Sequence, residues 1–493
     1  MPEIDQDLLA ILLKLSDVLK RQNCSAYVVG GFVRDWLLGR KTDDVDITVK
    51  GDALSIAQDV ARAIAGKYVL LDETNRIARV IITDEKPWHL DFSSFLNNIE
   101  DDLARRDFTI DAMAVEFQAL ISGAPEFIDP FSGKVDLKKK LVRAVSQRSF
   151  TEDAARLLRA VRLAAELGFK IAPDTENLIK KDCHLARSVS GERLREELVS
   201  LLALPDSAAL IRYLDKTGLL IAVIPEMQEL KGAKQPKEHY WDVFNHSVET
   251  IATVEFLLRE SKWKYGKDDL LAVVPWSEEI GVHFDEEVSS GSNRRLLLKL
   301  GALMHDIAKP ATRTVDETGR TRFLGHAKEG AAIAVTVLER LRFSGRETRL
   351  VENLIYHHLR PAQMANNGLP TSRAVYRYFR DTEGAGVDVL FLALADYLAT
   401  HGPKLDIEEW KQHNLLISFI LAEHFKQEIK VLPAKLIDGH DLMDIFGLRP
   451  GPLLGQLLAE VREAQAAEEL STREEALELV RRELEKRHCG TAC

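Results

Sequence analysis

Paired cysteines are missing from this chain: Cys24, Cys183, Cys489 and Cys493 are scattered over 493 residues, and none stands in a Cys-x-x-Cys pair. Such spacing argues against a disulfide framework or a zinc knuckle and fits a reducing cytoplasm. Cys489 and Cys493 lie in a polar tail and read as exposed free thiols. An excess of positive charge is missing too. The formal charge is -11, which excludes a protein coating nucleic acid over its whole surface, so a nucleic-acid site has to be a local basic patch. No apolar run approaches the ~20 residues of a membrane span. The opening MPEIDQDLLAILLKL carries acids where a secretory signal carries a basic start, and its apolar spacing predicts an amphipathic helix. There is no internal repeat.

What is present falls into two textures. Up to about Phe127, β-rich pieces alternate with helical ones: Ala26–Val29, Val45–Val49, Tyr68–Leu71, Ala78–Ile82 and His89–Phe92 read as strands, which predicts an α+β head. From about Asp136 helical periodicity takes over, as in Ala154–Leu167 and Glu192–Leu202. The polar, acidic stretch Ser261 to Ser292 reads as an inserted loop with a short helix or none. Beyond Pro433, helices are expected over Leu454–Glu463 and Ala476–Arg487, the latter with a capping box between Ser471 and Glu474.

The chemistry concentrates in three places in the first half. Gly30-Gly31-Phe32-Val33-Arg34-Asp35 follows the first strand, and Asp44-Val45-Asp46 opens the second. Residues i and i+2 of a strand share a face, so Asp44 and Asp46 can hold hard cations such as magnesium side by side. A pair of such ions can clamp the attacking and leaving oxygens of a phosphoryl transfer. Arg105-Arg106-Asp107-Phe108-Thr109-Ile110-Asp111-Ala112 adds guanidinium groups suited to a triphosphate and, in Asp107, an acceptor for a ribose hydroxyl.

The third place is Glu152-Asp153-Ala154-Ala155-Arg156, followed by Arg159. On a continuous helix Asp153 and Arg156 are i, i+3 neighbours, and Glu152 braces Arg156 from i, i+4. Cytosine and adenine each present an exocyclic amine beside a ring-nitrogen acceptor. A carboxylate and a guanidinium match that edge, whereas uracil and guanine leave buried groups unpaired at ~1–3 kcal/mol each.

In this order, the three blocks resemble the signature of class II tRNA nucleotidyltransferases and their bacterial poly(A) polymerase relatives. Asp129-Pro130-Phe131-Ser132-Gly133 and Glu192-Arg193-Leu194-Arg195-Glu196-Glu197 resemble further blocks of that family, the last a structural support for the template helix. The resemblance implies a polymerase-beta-like nucleotidyltransferase head (1–135), a helical neck carrying the nucleotide template (136–230), an HD-type phosphohydrolase-like region (231–432) and a helical tail (433–493). It implies Asp44 and Asp46 as catalytic magnesium ligands, with Asp91 a third carboxylate. Gly30, Gly31, Arg34, Arg106, Asp107, Asp153, Arg156 and Arg159 would bind CTP or ATP, and tRNA would be the partner, with no membrane involved.

In the later half, Met304-His305-Asp306-Ile307-Ala308-Lys309-Pro310 resembles the core of HD-type metal phosphohydrolases. His246, His305, Asp306 and Asp396 would ligate a divalent metal, and His326 with His357 or His358 a second one. Imidazole and carboxylate suit such a cation, which could activate water against a phosphoester.

Two departures from the family pattern matter. Asp111 stands where asparagine is usual, and Leu90-Asp91-Phe92-Ser93-Ser94-Phe95 runs almost at once into Asn97-Asn98-Ile99. Family members that build a whole CCA end carry a longer polar loop there, so the resemblance implies a CC-adding subtype. The rival expectations are a poly(A) polymerase, or an HD phosphohydrolase whose head is a relic.

Overall fold

The computed structural model describes residues 4–83, 87–364, 368–429, 435–466 and 469–489. Cys493 and the Pro433 start of the tail lie outside them, while Cys24 and Cys183 are free thiols. The chain forms two compact units. One comprises 1–204 with 213–223, the other 205–212 with 224–493.

In the first unit, the helix Gln6–Arg21 starts where Asp5 accepts from the Asp7 N–H (2.9 Å), and it buries Leu8, Leu12, Leu15 and Leu19 along one stripe. Seven strands follow: β1 (Ala26–Val29), β2 (Asp44–Lys50), β3 (Lys67–Asp72), β4 (Ile77–Thr83), β5 (Pro87–Phe95), β6 (Ala114–Glu116) and β7 (Phe127–Ile128). They make one mixed sheet in the order β3-β4-β5-β2-β1-β6-β7. The five expected strands are present, and β6 and β7 were too short to show a period in the sequence. Among the described residues of this sheet, β2 and β5 are the parallel neighbouring pair, and the helix Ala53–Ile64 lies in their crossover. Their register sets Asp46 beside Asp91, while β1 brings Val29 opposite Asp46. Val45, Ile47, Leu90 and Phe92 are buried, and this core holds the acidic strand in place.

The helical neck follows, with one correction. The run expected as a helix over Ala154–Leu167 begins only at Arg156, and a separate turn, Ser149–Glu152, precedes it. Asp153 is extended (φ -149°, ψ 104°), and its side chain accepts from the Ala155 N–H at 3.1 Å. A local side-chain-to-backbone turn at Asp153 thus competes successfully with helix continuation.

The second unit is built largely from helices, including Val243–Leu257, Arg294–Met304, His326–Arg340, Gly345–His357 and Gly386–His401. Val243–Leu257 and Gly386–His401 are buried nearly all round and run through the core, the former with His246, Thr250, Thr253 and Glu255 among its buried residues. The stretch expected as a loose insertion is packed. It forms helices Asp268–Leu271 and Glu278–Asp285 and a short hairpin, with Trp263 and Phe284 buried, since these aromatics gain more from burial than the flanking polar residues lose. The tail helices extend over Pro452–Ala466 and Arg473–Cys489. The cap of the latter is shifted by one residue from expectation: Thr472 Oγ1 accepts from the Glu475 N–H (3.2 Å), and Glu475 accepts from the Thr472 N–H (3.1 Å).

Candidate nucleotide site and candidate metal centre

Gly30 and Gly31 open the helix Gly30–Leu37 directly after β1. Gly30 has φ +69°, and a Cβ there would stand 2.6 Å from Arg106 Nη1 and 2.7 Å from Asp46 Oδ2. The position therefore excludes a side chain both conformationally and sterically. The Gly31 N–H donates to Asp46, whose carboxyl is pushed up by burial against the pull of Arg106. A Gly30→Ala substitution is expected to destabilise the chain by about 1–2 kcal/mol from the left-handed backbone alone. Thermal unfolding measures this, and an unchanged Tm would contradict it.

Asp46 and Gly31 form one wall of a cavity of about 580 Å³ that also takes in Asp102, Arg105, Arg106, Asp107, Asp111, Asp153, Arg156, Arg159 and Arg193. Of the residues expected to bind nucleotide, Gly31, Arg106, Asp107, Asp153, Arg156 and Arg159 thus line one space. Arg34 reaches it through Asp111 (2.6 Å), and also pairs with Asp35 (2.8 Å). Burial raises the Asp111 carboxyl to about 6, while Arg34 pulls it down. Arg159 donates to Asp107 at 2.7 Å. The least committed of these cations is Arg106: its contacts to Asp102 and to the Asp111 carbonyl are both 3.5 Å, and its Nε has no hydrogen-bond partner among the described residues.

Asp44 lies at the exposed start of β2, and its carboxylate accepts from His89 Nδ1 at 2.9 Å. Asp91 is adjacent to Asp46 in register, but both its oxygens are taken by Arg79 (2.7 and 2.8 Å). Glu152 does not brace Arg156. The helix break at Asp153 turns it away, and it pairs instead with Arg148 at 3.6 Å.

The Asp-Pro-Phe-Ser-Gly block supports the floor of this site. Asp129 accepts from the N–H groups of Gly133 (2.6 Å) and Lys134 (3.0 Å), starting the helix Gly133–Lys139. A Cβ at Gly133 would fall 2.2 Å from the Thr109 carbonyl oxygen, so the Arg-Arg-Asp segment can approach only a glycine there.

In the second unit, two groups of potential metal ligands meet inside the helices: His246, His305 and Asp396, and then Asp306, His326 and His358. Asp306 faces both, with Oδ2 3.2 Å from His305 Nε2 and Oδ1 3.4 Å from His326 Nε2. His357, one of the two candidates for the second group, is outside it. It lies one residue off the helix face that carries His358, against the Tyr356 ring.

The donor set fits a cation. His326 Nδ1 and His358 Nδ1 each sit 2.7 Å from a backbone carbonyl, those of Phe323 and Ile355, and a carbonyl can only accept. Their Nε2 atoms, 3.3 Å apart, therefore turn lone pairs toward each other when the rings are neutral. Burial, followed by His305, pushes His358 down to about 3, which keeps that ring neutral. His305 Nδ1 is tied in the same way to the Ala302 carbonyl (2.9 Å), and its Nε2 faces His246 Nε2 at 3.2 Å. Asp306, 1% exposed, has an Oδ1 without a hydrogen-bond partner among the described residues. Opposed lone pairs and an orphaned carboxylate oxygen are relieved by divalent ions.

The poly A polymerase head domain family matches residues 26–95 and 78–143, the HD domain family 243–401, and the tRNA nucleotidyltransferase domain 2 family 323–480. An A-adding tRNA nucleotidyltransferase of Deinococcus radiodurans is 32% identical over 93% of this chain and 95% of its own length. A CC-adding tRNA nucleotidyltransferase of Thermus thermophilus is also 32% identical, over 92% of each. The Thermotoga maritima CCA-adding enzyme solved with tRNA shares the fold at a TM-score of 0.60 and 24% identity, with 98% of this chain and 96% of that one covered. With full-length similarity of this kind around the Gly-Gly, Asp-x-Asp and Glu-Asp-x-x-Arg geometry, the chain belongs to the tRNA nucleotidyltransferase family.

Proposed function

We propose that the chain adds nucleotides to the tRNA 3′ end without a nucleic-acid template, and that it is a CC-adding enzyme. The observation that carries the reaction is the single cavity of about 580 Å³ lined by Asp46, Asp153 and Arg156, since it gives phosphate chemistry and base reading one shared space. The tRNA 3′-hydroxyl attacks the α-phosphate of the incoming nucleotide, a phosphodiester forms, and pyrophosphate leaves. Asp44 and Asp46 would hold magnesium, which when bound neutralises the triphosphate and polarises the α-phosphate. Arg106, above Gly30 and loosely held, would take triphosphate charge. Asp107, kept in place by Arg159, would accept from the ribose. Asp153 would accept from the base amine and Arg156 donate to the ring nitrogen.

The CC-adding assignment rests on the connection between β5 and the helix Ile99–Ala104, which is only Leu96-Asn97-Asn98. So short a link cannot sweep across the cavity to reshape it for the larger adenine. Purified protein given tRNA lacking its CCA end should add two cytidines from CTP and then stop with ATP present. Sequencing of the 3′ ends reads the outcome. Efficient addition of A to a CC-ended tRNA would overturn the subtype, and long A tracts on single-stranded RNA would favour a poly(A) polymerase.

A second reading, phosphoester hydrolysis in the other unit, is favoured by the two ligand groups that share Asp306. His246, His305 and Asp396 would hold one divalent ion and His326, His358 and Asp306 another, supplying a metal-activated water when bound. Lys309, 2.6 Å from Asp306, would balance the negative charge of the ligand set.

A further inference from the structure

The two groups that read the base are not held by each other. Asp153 Oδ1 accepts from the Ala155 N–H (3.1 Å) and from Arg193 Nη1 (2.9 Å), and Oδ2 accepts from Arg193 Nη2 (2.7 Å). Arg156 donates instead to two backbone carbonyls, those of Arg105 (2.7 Å) and Ser149 (3.3 Å), and its Nε stays 4.0 Å from Asp153. Each half of the pair thus has its own anchor. Arg193 comes from the first turn of the helix Gly191–Ala203, a block that the sequence marks only as structural support.

This division has a chemical reason. A carboxylate and a guanidinium three residues apart form an ion pair with each other unless something prevents it, and a pair so closed offers no edge to a base. The Arg193 fork uses two of the acceptor positions of Asp153, and the Ala155 N–H uses a third. What remains on Oδ2 is one position for one exocyclic amine. The fork also keeps Asp153 ionised: burial opposes ionisation, but Arg193 and the Ala155 N–H outweigh it and hold the carboxyl below its ordinary value.

We infer that Arg193 is a positioning residue for base selection, holding Asp153 away from Arg156 so that both stay open to cytosine or adenine. The inference rests on the nucleotidyltransferase reading above. Without Arg193, Asp153 closes on Arg156, and the incoming base must compete with that internal pair. The cost falls on nucleotide binding and on the contrast between right and wrong bases, and the attack on the α-phosphate is spared. Lysine preserves the charge but cannot donate from two parallel N–H groups.

The test compares wild type, Arg193→Ala and Arg193→Lys in single-nucleotide addition to tRNA transcripts, with CTP, ATP, UTP and GTP supplied separately. Far-UV circular dichroism and Tm are recorded for each protein. For Arg193→Ala the expected result is a rise of about tenfold in KM for CTP, kcat within about threefold, and a CTP over UTP preference about tenfold lower. Arg193→Lys should fall between the two, and it carries the test if the alanine variant unfolds. Unchanged KM and unchanged preference in the folded variants would overturn the inference. So would a loss confined to kcat with preference intact, which marks structural support. Wild-type protein that adds no nucleotide to any tRNA would instead overturn the functional reading, and the inference with it.

Discussion

Asp46→Asn is expected to lower nucleotide addition by about a thousandfold or more, and Asp44→Asn to do the same, because on the proposed reading each would remove a charged ligand from a phosphoryl-transfer clamp worth several kcal/mol. The fold should not suffer. Asp46 is held by the Gly31 N–H and lies in the field of the Arg106 guanidinium, and burial disfavours its charged form. A neutral amide of the same shape escapes that penalty, so the Tm of Asp46→Asn should equal or exceed that of the wild type. Addition assays with CTP and a CC-lacking tRNA, run beside thermal unfolding, check both parts. Incorporation within a few fold of wild type by either variant would remove Asp44 and Asp46 from the chemistry. Metal content of the HD-type unit, and any hydrolytic activity it has, should be unchanged in both variants, because its candidate ligands come from a separate compact unit.

The second large effect is expected from His305→Ala combined with Asp306→Ala. Asp306 faces both ligand groups, and His305 belongs to the first of them. Losing both should release all divalent metal from the second unit, about two ions per chain on a two-site reading, while tRNA extension by the head persists. Elemental analysis of the purified proteins supplies the number. Removing Asp306 also takes from Lys309, which is 7% exposed, its carboxylate partner at 2.6 Å and leaves it the Gln235 Oε1 acceptor (2.7 Å), so the double variant carries a buried ammonium without a counter-charge at that contact. His326→Ala with His358→Ala avoids that cost and should still lose the second ion. Metal content equal to wild type in both variants would make the histidine cluster a structural one.

Individual residues show why parts of this site could be read from the sequence. Asp44 and Asp46 are two apart in a β-branched run, and a strand's alternation is a local property, so their shared face follows from spacing alone. Gly30 carries its information locally as well, since a turn of positive φ beside a carboxylate leaves no space for a side chain. The His305-Asp306 pair is local as well, since an imidazole beside a carboxylate is a donor set for a divalent cation. These features depend on neighbours within a few residues, where backbone geometry decides.

Other features depend on contacts that no spacing encodes. Glu152 reads as a brace for Arg156 only if the helix is continuous, and the capping bond from Ala155 to Asp153 breaks it. Arg193 meets Asp153 across forty residues, and Asp91 is neutralised by Arg79 across a strand pair. The choice between His357 and His358 turned on a single helical step of 100° and on which face packs inward. The sequence by itself therefore determined the family, the acidic strand, the glycine turn and the residue types of both centres. The tertiary structure decided which arginine holds which carboxylate, which histidine enters the second ligand group, and that the 261–292 stretch is packed rather than loose. The physical reason is range: local dihedral preferences are written residue by residue, whereas ion-pair partners and buried faces are chosen by the packing of segments far apart in the chain.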